Sequence, residues 1–271
     1  MPGVLVVSRW EARKLVSQKR TYLGLAAAMG APLLFVTALA LRDGAPEDAP
    51  FGASVRSSGL AIPLLMLVFG SIWLFPLIAA LVAGDIVASE DQNGTLKTIL
   101  TRSTGRGRIF FGKAVVAAVY AILAITLMVV TAILAGSLES GFNPLKTLTG
   151  TEVSALRATA LVFVSLGVYL LPLLGVVAIG LLLSTVTRNS AAAVVGTLMC
   201  SLLMQLIGVL PGLEGVRPYL LTSQFDAWQG LLREPIDTAP IVHAAWVCPL
   251  YLVPAIAVAW LVFERRDVAG G

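Results

Sequence analysis

The sequence predicts an all-α membrane protein: six transmembrane helices, both termini in the cytoplasm, an interfacial helix before the first span and a long cytoplasmic loop between spans two and three. Three observations carry this. The 271-residue chain has a mean hydropathy of +0.90, with 58% apolar and 13% charged residues, where soluble domains carry ~25% charge. Its apolar residues gather in runs of about 20 residues or more, and crossing a ~30 Å hydrocarbon core takes ~20 helical residues. Its basic residues fall mainly on one side of those runs. Lipid offers no partner to unpaired backbone groups, so the spans must be helices; barrel strands would alternate over ~10-residue segments, and these runs do not.

Residues 1–20 place Val4, Val7, Trp10, Leu15 and Val16 among Arg9, Arg13, Lys14, Lys19 and Arg20. That mixture fits a short helix lying at the membrane interface, with Trp10 at headgroup depth; a loosely ordered basic anchor fits the periodicity equally well. The apolar run Val4–Val7 is too short for a signal-peptide core and charges follow it, so the first span is expected to direct insertion itself. The spans are expected at 22–41, 59–83, 114–136, 159–186, 191–211 and 242–263, within one transmembrane domain covering 1–271. Pro63 and Pro76, Pro172 and Pro254 are expected to kink spans two, four and six.

With six spans the termini share a side. That side carries Arg9, Arg13, Lys14, Lys19, Arg20, Lys97, Arg102, Arg106, Arg108, Lys113, Arg188, Arg265 and Arg266, 13 of the 19 basic residues. The positive-inside rule makes it the cytoplasmic one. The basic pI thus reports orientation, and no nucleic-acid partner is expected.

Between spans two and three lie residues 84–113, far more than a connecting turn needs. Gly84–Asp91 is expected to extend span two, Asn93-Gly94 to stop it, and Thr95 to cap a short helix with Leu96, Ile99 and Leu100 on one face. Gly105 and Gly107 end that helix, Ile109-Phe110-Phe111 re-enters the membrane, and Lys113 sits at the headgroups. An apolar stripe in the cytosol needs cover: another protein, the chain's own helix ends and the lipid surface all remain open.

The run "ASEDQNGTLKTILTRSTGRGRIFFGK" resembles the signature of the ABC-2 type permeases, the membrane subunits of ATP-binding cassette exporters. Glu90, Gly94-Thr95-Leu96, Ile99-Leu100, Arg106 and Lys113 match the pattern; Ser103 stands where Pro is usual, which loosens the turn there. The six-span layout and the interfacial helix also match. The resemblance implies that the loop helix is a coupling helix seated on a separate ATPase subunit, with Glu90, Gly94, Thr95, Leu96, Ile99, Leu100, Arg102 and Arg106 as coupling residues. Glu90 and Arg106 would orient the loop by ion pairs, to each other or to the partner. It further implies a dimer of ATPase subunits carrying ATP and Mg, and a second permease, identical or paralogous.

Nothing in the chain itself reads as a cofactor, metal or catalytic site. Gly107–Lys113 nearly spells a phosphate loop, but Ala114 stands where Ser or Thr should hold magnesium and no strand precedes it. ATP hydrolysis is therefore expected on another polypeptide, and the chain is not expected to be an enzyme. Asn93-Gly94-Thr95 is a glycosylation sequon on the expected cytoplasmic side. Cys200, Cys248 and His243 are expected to serve packing or the interface.

The spans as drawn contain no Asp, Glu, Lys or Arg, which argues against a proton- or sodium-driven transporter. Phe69, Trp73, Met199 and Gln205 are the candidate substrate path, suited to hydrophobic or amphipathic cargo, although Gln205 serves an interhelical hydrogen bond equally well. Residues 212–241 are expected outside the cell, with Leu220, Leu221, Phe225, Trp228, Leu231 and Leu232 forming a short amphipathic helix on or in the outer leaflet; a simple surface cap over the helix ends fits the spacing equally well.

These readings lead to the permease subunit of an exporter of drug-, peptide- or lipid-like cargo in a prokaryotic plasma membrane, in contact with membrane lipid. A permease of the same family serving maturation or polymer export is an alternative, as is a non-transporting scaffold that recruits a regulator.

Overall fold

The structure, a computed structural model, describes residues 3–41, 50–95 and 105–266. The helices described are α1 Val4–Val16, α2 Lys19–Ala40, α3 Ala61–Ile72, α4 Leu74–Ala83, α5 Ala88–Gln92, α6 Arg106–Ser140, α7 Ala155–Thr187, α8 Ser190–Val209 and α9 Ala239–Glu264. Five of them, α2, α6, α7, α8 and α9, are long and apolar enough to cross a membrane, and the bent pair α3–α4 makes up to six. The chain is thus a mostly helical, multi-pass membrane protein.

Burial sorts the helices into a centre and a periphery. Of the most apolar stretch, 50% is buried in α6 and 56% in α7, against 22% in α2 and 17% in α8. Helix α6 packs on α1, α2, α3 and α4, while α7 packs on α4, α8 and α9. Where α3 begins, Gly59 meets Gly136 of α6 so closely that a Cβ on either would overlap the other's backbone. The Gly59 amide donates to the Gly141 carbonyl at 3.0 Å, closing the same contact.

The expected second span is broken. Helices α3 and α4 meet at 59°, around Trp73 rather than at either proline. Pro76 is the cause: its ring replaces the N–H that would reach the carbonyl of Ile72, four residues back, and crowds that carbonyl. Helical bonding resumes when the Leu77 amide donates to the Trp73 carbonyl at 3.0 Å. Pro63 sits in the first turn of α3, where no donor is needed. Helices α7 and α9 run on through Pro172 and Pro254.

At the end remote from α1, a two-stranded hairpin pairs β1 Leu145–Lys146 with β2 Glu152–Val153. The Leu148 amide beyond β1 donates to the Leu232 carbonyl at 2.9 Å, tying the hairpin to the segment Thr222–Leu232. That segment is a short helix of the 3-10 type, and it packs against the protein as a cap. Ser223, Asp226 and Gln229 point outward at intervals of three while Leu221, Phe225, Trp228 and Leu232 are buried, the three-residue repeat of a 3-10 helix. The Tyr169 ring lies 4.8 Å from Phe225 and 5.7 Å from Phe75, and Trp228 stacks on Phe51 at 6.0 Å. The aromatic spacing that suggested a short helix here puts Phe225 and Trp228 into the core; apolar positions three and four apart suit a 3-10 or an α-helix over so short a run.

Candidate functional site

The charges excluded from the apolar runs collect at one end of the bundle, around residues 85–95. Helix α1 buries Val7, Ser8, Glu11 and Leu15, a helical stripe that carries Glu11 against α6. Helix α6 starts at Arg106, so residues 106–113 belong to it and not to the loop. Its buried face runs through Ile109, Phe110, Lys113, Val116 and Ala117. Lys113 is therefore drawn inward, at 0% exposure, and does not sit at the headgroups as expected.

A cation held there needs counter-charge, since a buried ion without a partner is strongly disfavoured. Lys113 Nζ lies 2.9 Å from Glu11 Oε2 and 2.7 Å from Glu90 Oε1. Glu90 also pairs with Lys14, which reaches in from the half-exposed side of α1. Two carboxylates and two ammonium groups thus balance across α1, α5 and α6. Glu90 Oε2 is buried and has no hydrogen-bond partner among the described residues.

The neighbouring residues are held from other helices. Instead of extending span two, residues 84–87 turn and α5 follows. Ser184 Oγ of α7 accepts from the amides of Val87 at 3.2 Å and Ala88 at 3.0 Å, supplying acceptors to donors that a helix start leaves unpaired. Asp85 pairs with Arg20 of α2 and accepts from the Ser190 hydroxyl of α8. Asp91 binds Arg266 at 2.9 Å, with Arg188 at 3.8 Å. Burial pulls the Arg266 guanidinium below its ordinary pKa, and Asp91 opposes that shift. The Gln92 side-chain oxygen Oε1 accepts from the Ser190 backbone amide at 3.2 Å.

Both edges of the expected coupling segment are pinned. Gly94 takes φ +68°, a left-handed turn that favours glycine, and its amide donates to the Asp91 carbonyl at 3.0 Å. The Thr95 hydroxyl donates to the Glu90 carbonyl at 3.2 Å. Across the gap, Arg106 Nη1 donates to the carbonyls of Glu264 and Arg266, each at 2.7 Å, a cation on the carbonyl-rich end of α9. Of the two alternatives for Glu90 and Arg106, pairing with each other is not seen: Glu90 pairs with Lys113 and Lys14, and Arg106 with the carbonyls at the end of α9. Gly105 directly precedes α6, and Gly107, expected to end the coupling helix, lies instead inside α6 against Glu264 and Trp260. Leu96, Ile99, Leu100 and Arg102 lie outside the described residues.

Glu11, Lys14, Arg20, Asp85, Asp91 and Arg266 were not named from the sequence as part of this site. Glu11 carried a signal, falling at helical spacing between Val7 and Leu15; Lys113 did so between Phe110 and Ala117.

The four substrate-path candidates do not converge. Phe69 and Trp73 line an apolar recess of about 480 Å3 beside the bend, with Phe35 of α2 opposite. Gln205 lines a separate, polar recess of about 200 Å3 with Arg217 and Asp226. Met199 is exposed on α8. His243 joins Tyr219 and Trp246 in an aromatic cluster, its Nε2 2.8 Å from the Pro218 carbonyl oxygen.

A family model described as "Protein of unknown function (DUF2705)" matches residues 48–269. The chain is also similar to a protein of Stutzerimonas stutzeri, "Probable ABC transporter permease protein NosY", at 51% identity over 43 residues. The matched stretch spans 16% of this chain and 16% of that relative's length.

Proposed function

The chain belongs to the DUF2705 family of proteins of unknown function, and from that premise we propose that it is the permease subunit of an ATP-driven exporter. The short likeness to a probable ABC transporter permease supports a permease in general. In this reading a separate cassette dimer docked on residues 95–102 binds ATP with Mg and hydrolyses the ATP, the permease works with a second copy or paralogue, and the charged end of the bundle faces the cytoplasm of a prokaryotic cell. The cargo is hydrophobic or amphipathic, in keeping with the apolar recess at Phe69 and Trp73.

The observation that carries the reading is the anchoring of both edges of that segment. Residues 85–95 are bound by side chains from α1, α2, α6, α7 and α8 and by Arg266 beyond α9, and Arg106 grips the end of α9. A force applied at Thr95 or Arg106 therefore reaches those helices directly. A ligand-driven motion can act on the permease only if the nucleotide favours one of its states by differential contacts.

The test is ATPase activity of a co-purified cassette subunit, with and without this chain. Stimulation by the wild-type chain that disappears in Leu96→Asp and Leu100→Asp is the expected result. A cassette ATPase indifferent to the chain, or a chain that recruits a regulator with no nucleotide dependence, sinks the proposal in favour of a scaffold.

A further inference from the structure

Between α1, α2 and α6 runs a groove of about 420 Å3, within the ~300–1,000 Å3 of small-molecule sites. Its walls are almost wholly hydrocarbon: Leu5 and Val16 of α1, Leu25 of α2, and Val115, Val119 and Leu123 of α6. Leu5, Arg9, Ala12 and Val16, all lining the groove, share one stripe of α1. That stripe lies beside the one that buries Val7, Glu11 and Leu15.

The polar groups along the walls are mostly committed within the protein. The Ser8 hydroxyl donates to the Val4 carbonyl at 3.0 Å, Thr21 to Leu15 at 2.6 Å, and Tyr120 to Thr21 at 3.0 Å. Arg9 and the Tyr22 hydroxyl are the exceptions. Both are exposed, and neither has a hydrogen bond or ion pair among the described residues. Arg13, one turn along from Arg9, is exposed and unpaired in the same way. Lys14, on the other side of α1, is by contrast committed to Glu90.

We propose that the groove binds an acidic phospholipid, one acyl chain lying along Leu25, Val119 and Leu123 and the phosphate held by Arg9 and the Tyr22 hydroxyl. Two requirements select this occupant. The walls offer dispersion contacts and no hydrogen bonds, which suits hydrocarbon. The rim offers a guanidinium with no counter-charge, and guanidinium pairs strongly with phosphate oxygens. A zwitterionic lipid fills the groove but brings its own cation to Arg9; a free phosphate satisfies Arg9 and leaves the groove bare. Basic residues on an interfacial helix draw acidic lipid in the same sense. The inference concerns the groove alone and is independent of the coupling role.

The experiment measures lipid retention on the full-length purified protein by native mass spectrometry in detergent. Phosphatidylglycerol and phosphatidylcholine of matched acyl chains are compared, with inorganic phosphate as competitor. Wild-type protein is expected to retain phosphatidylglycerol several-fold better than phosphatidylcholine. Arg9→Gln, on an exposed side chain, should bring the two level. Val119→Trp, which narrows the groove, should lower retention of both. Equal retention of the two lipids by the wild type, or a preference unchanged in Arg9→Gln, overturns the proposal. So does displacement of lipid by inorganic phosphate, which would make a free anion the ligand. An oligomer lost in Arg9→Gln with lipid binding unaltered would assign the groove to a second copy, and overturns it too.

Discussion

Lys113 Nζ lies 2.7 Å from Glu90 Oε1, and both side chains are closed to solvent at 0% and 1% exposure. The pair joins α6 to α5 from opposite sides of the expected coupling segment. Its strength rests less on attraction than on what removal of one partner leaves behind, a desolvated charge with no match.

Lys113→Met should therefore destabilise the protein by ~3–5 kcal/mol, leaving Glu11 and Glu90 to the half-exposed Lys14. Adding Glu90→Gln should recover part of that loss. Lys14→Gln alone should cost less than Lys113→Met, because Lys14 is half-exposed and Glu90 keeps Lys113 as a partner. Thermal unfolding in detergent measures all of these, and strictly additive losses for Lys113→Met and Glu90→Gln would contradict the coupling.

Trp228 is fully buried and stacks on Phe51. Trp228→Ala should cost ~3–5 kcal/mol. Trp228→Phe should cost much less, because the indole Nε1 makes no hydrogen bond among the described residues. The order of the unfolding midpoints checks this: phenylalanine should fall close to wild type and alanine far below it.

The Gly59–Gly136 contact is backbone on backbone, so it cannot yield to a side-chain rotation. Gly59→Ala should destabilise by ~1–3 kcal/mol. At Gly167 of α7 a Cβ meets nothing within 4 Å; Gly167→Ala should instead stabilise the helix by ~0.5–1 kcal/mol. Opposite shifts in midpoint for the same chemical change are the expected result.

Asp226 edges the polar recess beside Gln205. Asp226 is exposed on its outer side, but the recess wall partly desolvates its carboxyl and raises its pKa above 3.8, with Arg217 and a hydrogen bond from Gln229 working the other way. A carboxyl whose pKa is higher folded than unfolded binds its proton more tightly in the folded state, so stability falls as pH rises from 3.8 through the raised value. Asp226→Asn keeps an acceptor for Gln229 and removes the titration. The variant should be the more stable above that window, and its advantage should vanish below it. Unfolding midpoints across acid pH decide it.

The coupling residues show how far sequence reasoning reaches. The Gly94 turn was legible because a left-handed conformation favours glycine, and Glu90 and Arg106 stood out as charges in an apolar chain. Their partners were not legible. Glu90 is 23 residues from Lys113 and 76 from Lys14, and Arg106 is 158 from Glu264; no local pattern encodes such pairings. Lys113 was misplaced because it stands one residue before the apolar run it was judged against, whereas the helix that carries it inward begins at Arg106.

The sequence by itself determined where the long apolar helices lie, to within a few residues except in α6, and that a basic amphipathic segment precedes them; that this segment is the helix α1 was decided by the structure. Those features follow from local hydrogen bonding and from runs of about 20 apolar residues. Tertiary structure decided the rest: how Trp228 and Phe225 are buried, which carboxylates hold Lys113, and that α1, α2 and α6 leave a groove with Arg9 at its rim. Those outcomes depend on which surfaces meet, and charge, volume and hydrogen-bond partners are matched between helices far apart in the chain.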